Sequence, residues 1–130
     1  MARILGIGGI FFKSHSPKEL AHWYQKHLGL TASEEGGSIL EFKHLTENGF
    51  AVWGPFEENT DYFQPSSKGF MFNFIVDDLN EALSQAKKGG AQVMDRIEEH
   101  VYGRFGWFID PEGNKVELWQ PSSRKPKNYT

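Results

Sequence analysis

Cysteine is absent from this sequence. That excludes disulfides, thiolate metal ligands and a cysteine nucleophile together. Long apolar runs are missing as well, since no stretch approaches the roughly 20 residues of a membrane-spanning helix. The opening Met1-Ala2-Arg3-Ile4-Leu5 also lacks the apolar core of a secretory leader. A soluble, cytoplasmic protein with no membrane partner is the expectation. Charge of one sign is scarce: the net charge is -3, and its one local basic cluster, Arg124, Lys125 and Lys127, lies in a tail expected to be solvated. Nucleic acid is therefore not an expected partner. Neither a nucleophile elbow nor a glycine-rich segment ending in Lys-Ser or Lys-Thr is found, so hydrolase and nucleotidase chemistry have no foothold.

What the sequence does contain is an echo. Gly9-Ile10-Phe11-Phe12, a capped helix and Ala51-Val52-Trp53-Gly54-Pro55 are answered by Met71-Phe72-Asn73-Phe74, a second capped helix and Glu117-Leu118-Trp119-Gln120-Pro121. The opening strands are offset by 62 residues and the closing ones by 66, the size of one compact supersecondary unit. At 130 residues the chain is expected to be a single domain, residues 1–130. Its modules are expected at about 3–55 and 69–121, with a linker at 56–68 and a polar tail at 122–130.

Residues 4–12 are apolar on both faces and read as a buried strand, with Gly6, Gly8 and Gly9 permitting close approach of another backbone. Ser16-Pro17-Lys18-Glu19 reads as a capping box with proline at the first helical position. Leu20, Ala21, Trp23, Tyr24 and Leu28 form the apolar stripe, and Gly29 is the stop. Strands are expected at 30–34, 38–43 and 50–53. The linker carries Phe56, Tyr62 and Phe63, which fits a lid over a cleft or a packed crossover. The second half restarts with a strand at 70–76 and a helix capped by Asp78 and ended by Gly89-Gly90. Strands at 91–94, 104–109 and 115–119 follow, the last two joined by the turn Asp110-Pro111-Glu112-Gly113-Asn114. Each half thus has the order βαβββ.

The run from Gly103 through Arg104-Phe105-Gly106-Trp107-Phe108-Ile109-Asp110-Pro111-Glu112-Gly113-Asn114-Lys115-Val116-Glu117-Leu118-Trp119-Gln120-Pro121 resembles the vicinal oxygen chelate superfamily. That superfamily contains glyoxalase I, bleomycin-resistance proteins and extradiol dioxygenases. Trp23-Tyr24, Leu28-Gly29 and Val76-Asp77-Asp78-Leu79 support the likeness, which covers nearly the whole chain. The resemblance implies an α+β fold of paired βαβββ modules whose curved mixed sheets surround a cavity, and a homodimer. It also implies metal ligands on the first and last strand of each module. The corresponding positions here are Gly9, Ala51, Met71 and Glu117, and only Glu117 offers a ligand for a hard divalent ion. The usual metal is therefore disfavoured, and no cofactor is expected.

Alternation turns Glu117 away from the side shared by Val116 and Leu118, so it is either a cavity carboxylate or a paired structural charge. Trp53, Phe72, Phe74, Trp107 and Trp119 are candidate aromatic walls, with core packing as the plain alternative. Tyr62 and Phe63 are candidate loop contacts, and Tyr102 and Arg104 candidate polar ones. His15, His22, His27, His44 and His100 have no ligand-like spacing. The leading expectation is a metal-independent binder of a small, partly apolar molecule, anchored by Glu117. Its rivals are a lyase, isomerase or dioxygenase-type enzyme using Glu117 as base or ligand, and a structural dimer with a filled core.

Overall fold

A computed structural model describes residues 1–34 and 36–122. Helix α1 (Pro17–Leu28) comes first, then a 3₁₀ turn at Phe42–His44, strand β1 (Phe72–Ile75), helix α2 (Leu79–Lys88) and strands β2 (Gln92–His100), β3 (Gly103–Ile109) and β4 (Lys115–Pro121). The sheet runs β1-β4-β3-β2. β1 lies parallel to β4, and the remaining pairs are antiparallel. The result is an α+β arrangement with a mixed sheet. No helix among the described residues is long and apolar enough to cross a membrane.

Cross-strand register decides what each face of the sheet carries. Phe72 and Phe108 both lie opposite Val116, and Phe74 and Gly106 opposite Leu118. These side chains meet Leu20 and Tyr24 of α1 and Leu79, Leu83 and Ala86 of α2 in one apolar core. Gly106 is where α2 comes closest, since a methyl group there would lie 2.7 Å from Leu83. The far face carries the alternate set: Asn73, Trp107 and Glu117 in one row, Ile75, Phe105 and Trp119 in the next.

The expected strands at 4–12, 30–34, 38–43 and 50–53 do not form among the described residues. A strand's hydrogen bonds run to a neighbouring strand rather than within itself, so alternation creates the need for a partner without supplying one. All the strands of the sheet come from residues 72–121. The first half keeps its helix, whose bonds are local, and leaves Ile4, Leu5, Phe11, Leu40 and Trp53 exposed. Two boundaries also move. β2 runs on to His100, six residues past the expected end, because β3 pairs with it along its length. β1 is confined to Phe72–Ile75.

The capping box of α1 is not realised, as the Ser16 side chain makes no cap bond. The cap arrives instead from the turn between β3 and β4. Glu112 accepts from the Ser14 hydroxyl (2.8 Å), the His15 N–H (2.8 Å) and the Ser16 N–H (2.9 Å). A carboxylate is well placed there, because the first backbone N–H groups of a helix lack partners and carry positive partial charge. Partial burial opposes ionisation of Glu112, but these donors hold its carboxyl below the ordinary range. The same turn grips α1 a second time, the buried Tyr24 hydroxyl donating to Asp110 at 2.9 Å. The cap of α2 follows expectation, with Asp78 accepting from the Glu81 N–H at 3.0 Å.

Candidate functional site

Glu117 is the most heavily engaged acid on the far face. It is 9% exposed and receives three side-chain donors. Asn73 Nδ2 donates to Oε1 at 2.7 Å, while Trp107 Nε1 (2.9 Å) and the Tyr62 hydroxyl (2.6 Å) both donate to Oε2. Asn73 and Trp107 are its register partners on β1 and β3, so the pleat alone delivers them. Tyr62 comes from the linker, 55 residues away in sequence.

The linker reaches the sheet as an aromatic knot. Tyr62 stacks on Phe56 (5.5 Å between centroids, 18° between planes) and meets Trp107 edge-on at 6.3 Å. Phe63 packs on Phe56 at 5.1 Å. Lys115, two residues before Glu117 on the same face, donates to the backbone carbonyl of Tyr62. Its ammonium also lies 5.2 Å from the Tyr62 ring and 5.9 Å from that of Trp107. A register shift in β2 between Val93 and Ile97 accompanies the placement of Arg96 over the Trp107 ring at 4.9 Å. Arg96 is paired with Glu98 at 2.9 Å. Burial, then the nearby Arg96, lowers the pKa of Lys115 against the opposing pull of Glu117 and Asp61. Burial, then the bond to Glu117, raises that of Tyr62.

Of the residues singled out in the sequence, Tyr62, Trp107 and Glu117 meet directly. Trp119 shares their face one row along, stacked on Phe105 (5.9 Å, 8°) and touched by Phe50 at 5.3 Å. Phe63 joins through the linker knot. Phe72 and Phe74 do not join, because their register partners Val116 and Leu118 turn them onto the helix face. Arg104 also leaves the site: it bonds Glu99 at 3.2 Å and Asn80 of α2 at 3.3 Å. Tyr102 stays one row from Glu117: its carbonyl accepts from Trp119 Nε1 at 3.0 Å, and its ring packs on Phe105 and His100. Trp53 is 79% exposed.

The residue beside Glu117 on β1 is Asn73, not Met71. Met71 lies one alternation earlier and lines a groove with residues 10–13, Lys68, Phe70 and Phe72. Asn73, Lys115 and Arg96 were missed by the sequence reading. Asn73 and Lys115 share the parity of Met71 and Glu117, which was the available signal; Arg96 had none, because a bulge resets its parity.

The donor set does not suit a divalent cation. Both oxygens of Glu117 already accept from N–H or O–H groups, and an ammonium stands nearby. Gly9 and Ala51 have no ligating side-chain atom. Among the described residues, no three His, Cys, Asp or Glu side chains assemble as a ligand set.

The βαβββ unit, with β1 parallel to β4, accords with the vicinal oxygen chelate superfamily. More narrowly, residues 9–119 match the glyoxalase-like domain family, and the chain belongs to that family. No curated protein matches it. Among solved structures, a glyoxalase/bleomycin resistance protein/dioxygenase superfamily member from Sphaerobacter thermophilus is 28% identical, with a TM-score of 0.34. That alignment covers 38% of this chain and only 40% of the other. TnmS3, an antibiotic binding protein from Streptomyces sp. CB03234, is 19% identical over 84% of this chain and 88% of its own, with a TM-score of 0.47. An integron cassette protein from the V. Cholerae mobile metagenome is 23% identical over 79% and 84%, with a TM-score of 0.43.

Proposed function

We propose that this protein binds a small, partly apolar molecule on the far face of its sheet, with Glu117 as the polar anchor and without a metal. The observation that carries the reading is the Glu117 carboxylate, held between Trp107 and the linker aromatics by three donors. An apolar surface with few, fixed polar groups is the usual make-up of a small-molecule site. A carboxylate kept among aromatic rings is costly unless its partners are arranged in advance, and here two of those partners belong to the sheet itself.

A homodimer completes the reading. β1 is an edge strand, and segment 1–16, which forms no strand, exposes Ile4, Leu5, Ile10 and Phe11. A sheet edge and an exposed apolar segment invite a second copy. Light scattering on the eluted protein is expected to give twice the 14.8 kDa chain mass.

The binding test has two parts. Calorimetric titration with Mg²⁺, Mn²⁺, Zn²⁺ and Ni²⁺ is expected to give no one-to-one complex; tight stoichiometric metal overturns the metal-free reading. Titration with 1-naphthol, followed by tryptophan emission, is expected to saturate and to weaken at least tenfold in Glu117→Ala. Saturable quenching in neither the intact protein nor a variant lacking the Tyr62 side chain overturns the binding reading.

A further inference from the structure

Three donors hold Glu117, and they are not equivalent. Asn73 and Trp107 project from strands paired directly with β4, so the sheet holds their backbones beside the carboxylate however their side chains turn. Tyr62 is held by side-chain contacts of the linker: its hydroxyl on Glu117, its carbonyl on Lys115, its ring against Phe56 and Trp107. It is also only partly buried, whereas Trp107 is 1% exposed. The donor whose backbone the sheet does not hold is therefore a phenol, seated where the proposed ligand would make its polar contact.

We infer that Tyr62 is the site's own occupant, and that the ligand is a hydroxyl-bearing aromatic compound that enters by displacing it. This rests on the binding function proposed above. The chemistry of the occupant specifies that of its replacement. If Tyr62 left alone, Oε2 of a buried carboxylate would lose an O–H donor, and an unsatisfied buried acceptor is expensive. An aromatic hydroxyl restores that bond, and bonds of this charge-assisted kind are among the stronger ones. Its ring takes over the edge contact with Trp107. A hydrocarbon of the same shape restores only the ring contact, and a cation would meet Lys115 and Arg96.

The inference reverses the sign expected of an ordinary pocket wall. If Tyr62 merely lined the site, removing its hydroxyl would weaken binding or leave it unchanged. As an occupant, it competes. Titrating p-cresol against tryptophan emission is expected to show at least threefold tighter binding in Tyr62→Phe than in the intact protein, and at least tenfold tighter binding in Tyr62→Ala. Toluene is expected to bind Tyr62→Ala at least tenfold more weakly than p-cresol does. Tyr62→Phe keeps the ring and its packing, so the comparison survives if Tyr62→Ala does not fold by circular dichroism. Hydrogen exchange of residues 56–68 in the intact protein supplies the second readout. Saturating p-cresol is expected to speed exchange there, as the linker is released. Equal or weaker binding by both variants, no preference for p-cresol over toluene, or slower or unchanged linker exchange overturns the inference while leaving the binding function standing. Absence of binding in every variant overturns the binding function instead.

Discussion

The two halves of this chain carry similar patterns and meet different fates. Residues 72–121 close into a sheet in which every strand has a partner from the same half, and two helices cover one face. Residues 1–71 contain the same alternation of apolar and polar side chains, yet only α1 and a 3₁₀ turn emerge as regular structure among the described residues. Helix formation needs bonds four residues apart, whereas a strand needs another strand. The difference teaches that a strand-like pattern states a requirement, and that the requirement is met only where an edge is offered. The first half is nonetheless tied to the second at discrete points: Glu112 on the start of α1, Tyr24 on Asp110, Trp23 Nε1 on the Gly89 carbonyl and Tyr62 on Glu117.

The sharpest way to break this comparison is to truncate one phenylalanine in each half. Phe108 is fully buried and Phe11 is 95% exposed. Phe108→Ala is expected to lower stability by about 3–5 kcal/mol in urea unfolding, and Phe11→Ala to change it by less than about 0.5 kcal/mol. Equal losses would show that the first half packs as firmly as the second. Loss of dimer mass in Phe11→Ala with monomer stability unchanged would sharpen the contrast, locating the missing partner in a second copy.

A glycine pair gives a smaller effect. Gly103 has φ 144°, and a Cβ there would lie 2.5 Å from the Gln120 carbonyl oxygen. Gly103→Ala must move backbone and is expected to cost about 1–3 kcal/mol. Nothing lies within 4 Å of a Cβ at Gly8, so Gly8→Ala is expected to be neutral or stabilising by about 0.4–1 kcal/mol, through the unfolded chain. Thermal melts of the two variants side by side decide it, and destabilisation by Gly8→Ala would place another backbone against that residue.

The smallest expected effect concerns the tie between the halves. Glu112→Ala removes a helix cap and is expected to cost about 1 kcal/mol, less in high salt because the group is only partly buried. The pH dependence has a definite sign. Donors hold the folded pKa of Glu112 below its unfolded value, so its contribution is complete above the ordinary carboxylate range. It fades as pH falls through the folded value. The stability gap between the intact protein and Glu112→Gln should therefore narrow on acidification, and a gap that widened would refute the cap.

Both helices of the fold were legible residue by residue. Pro17 and Gly29 bracket α1, and Asp78 and Gly89 bracket α2, because proline starts and glycine stops act locally, although the expected Ser16 cap of α1 did not form. So was the turn Asp110-Pro111-Glu112-Gly113-Asn114, where Asp110 accepts from the Glu112 and Asn114 N–H groups at 2.9 and 3.0 Å. Glu117 was legible as a residue facing away from Val116 and Leu118. The side on which Phe72 and Phe74 fall was not, since alternation fixes parity within one strand and says nothing of how that parity aligns with the next.

The amino-acid sequence alone thus determined the two helices, the turn at 110–114 and the side of β4 from which Glu117 projects, because those depend on neighbours within a few residues or on one strand's pleat. Tertiary structure decided the rest. The parallel register of β1 on β4 put Asn73 rather than Met71 beside Glu117, a bulge put Arg96 on Trp107, and the linker's path put Tyr62 on the carboxylate. It also supplied Glu112 as the cap of α1 from nearly 100 residues away. The physical reason is common to all four: each contact depends on the register or path of one segment against another, which the pattern within either segment does not encode.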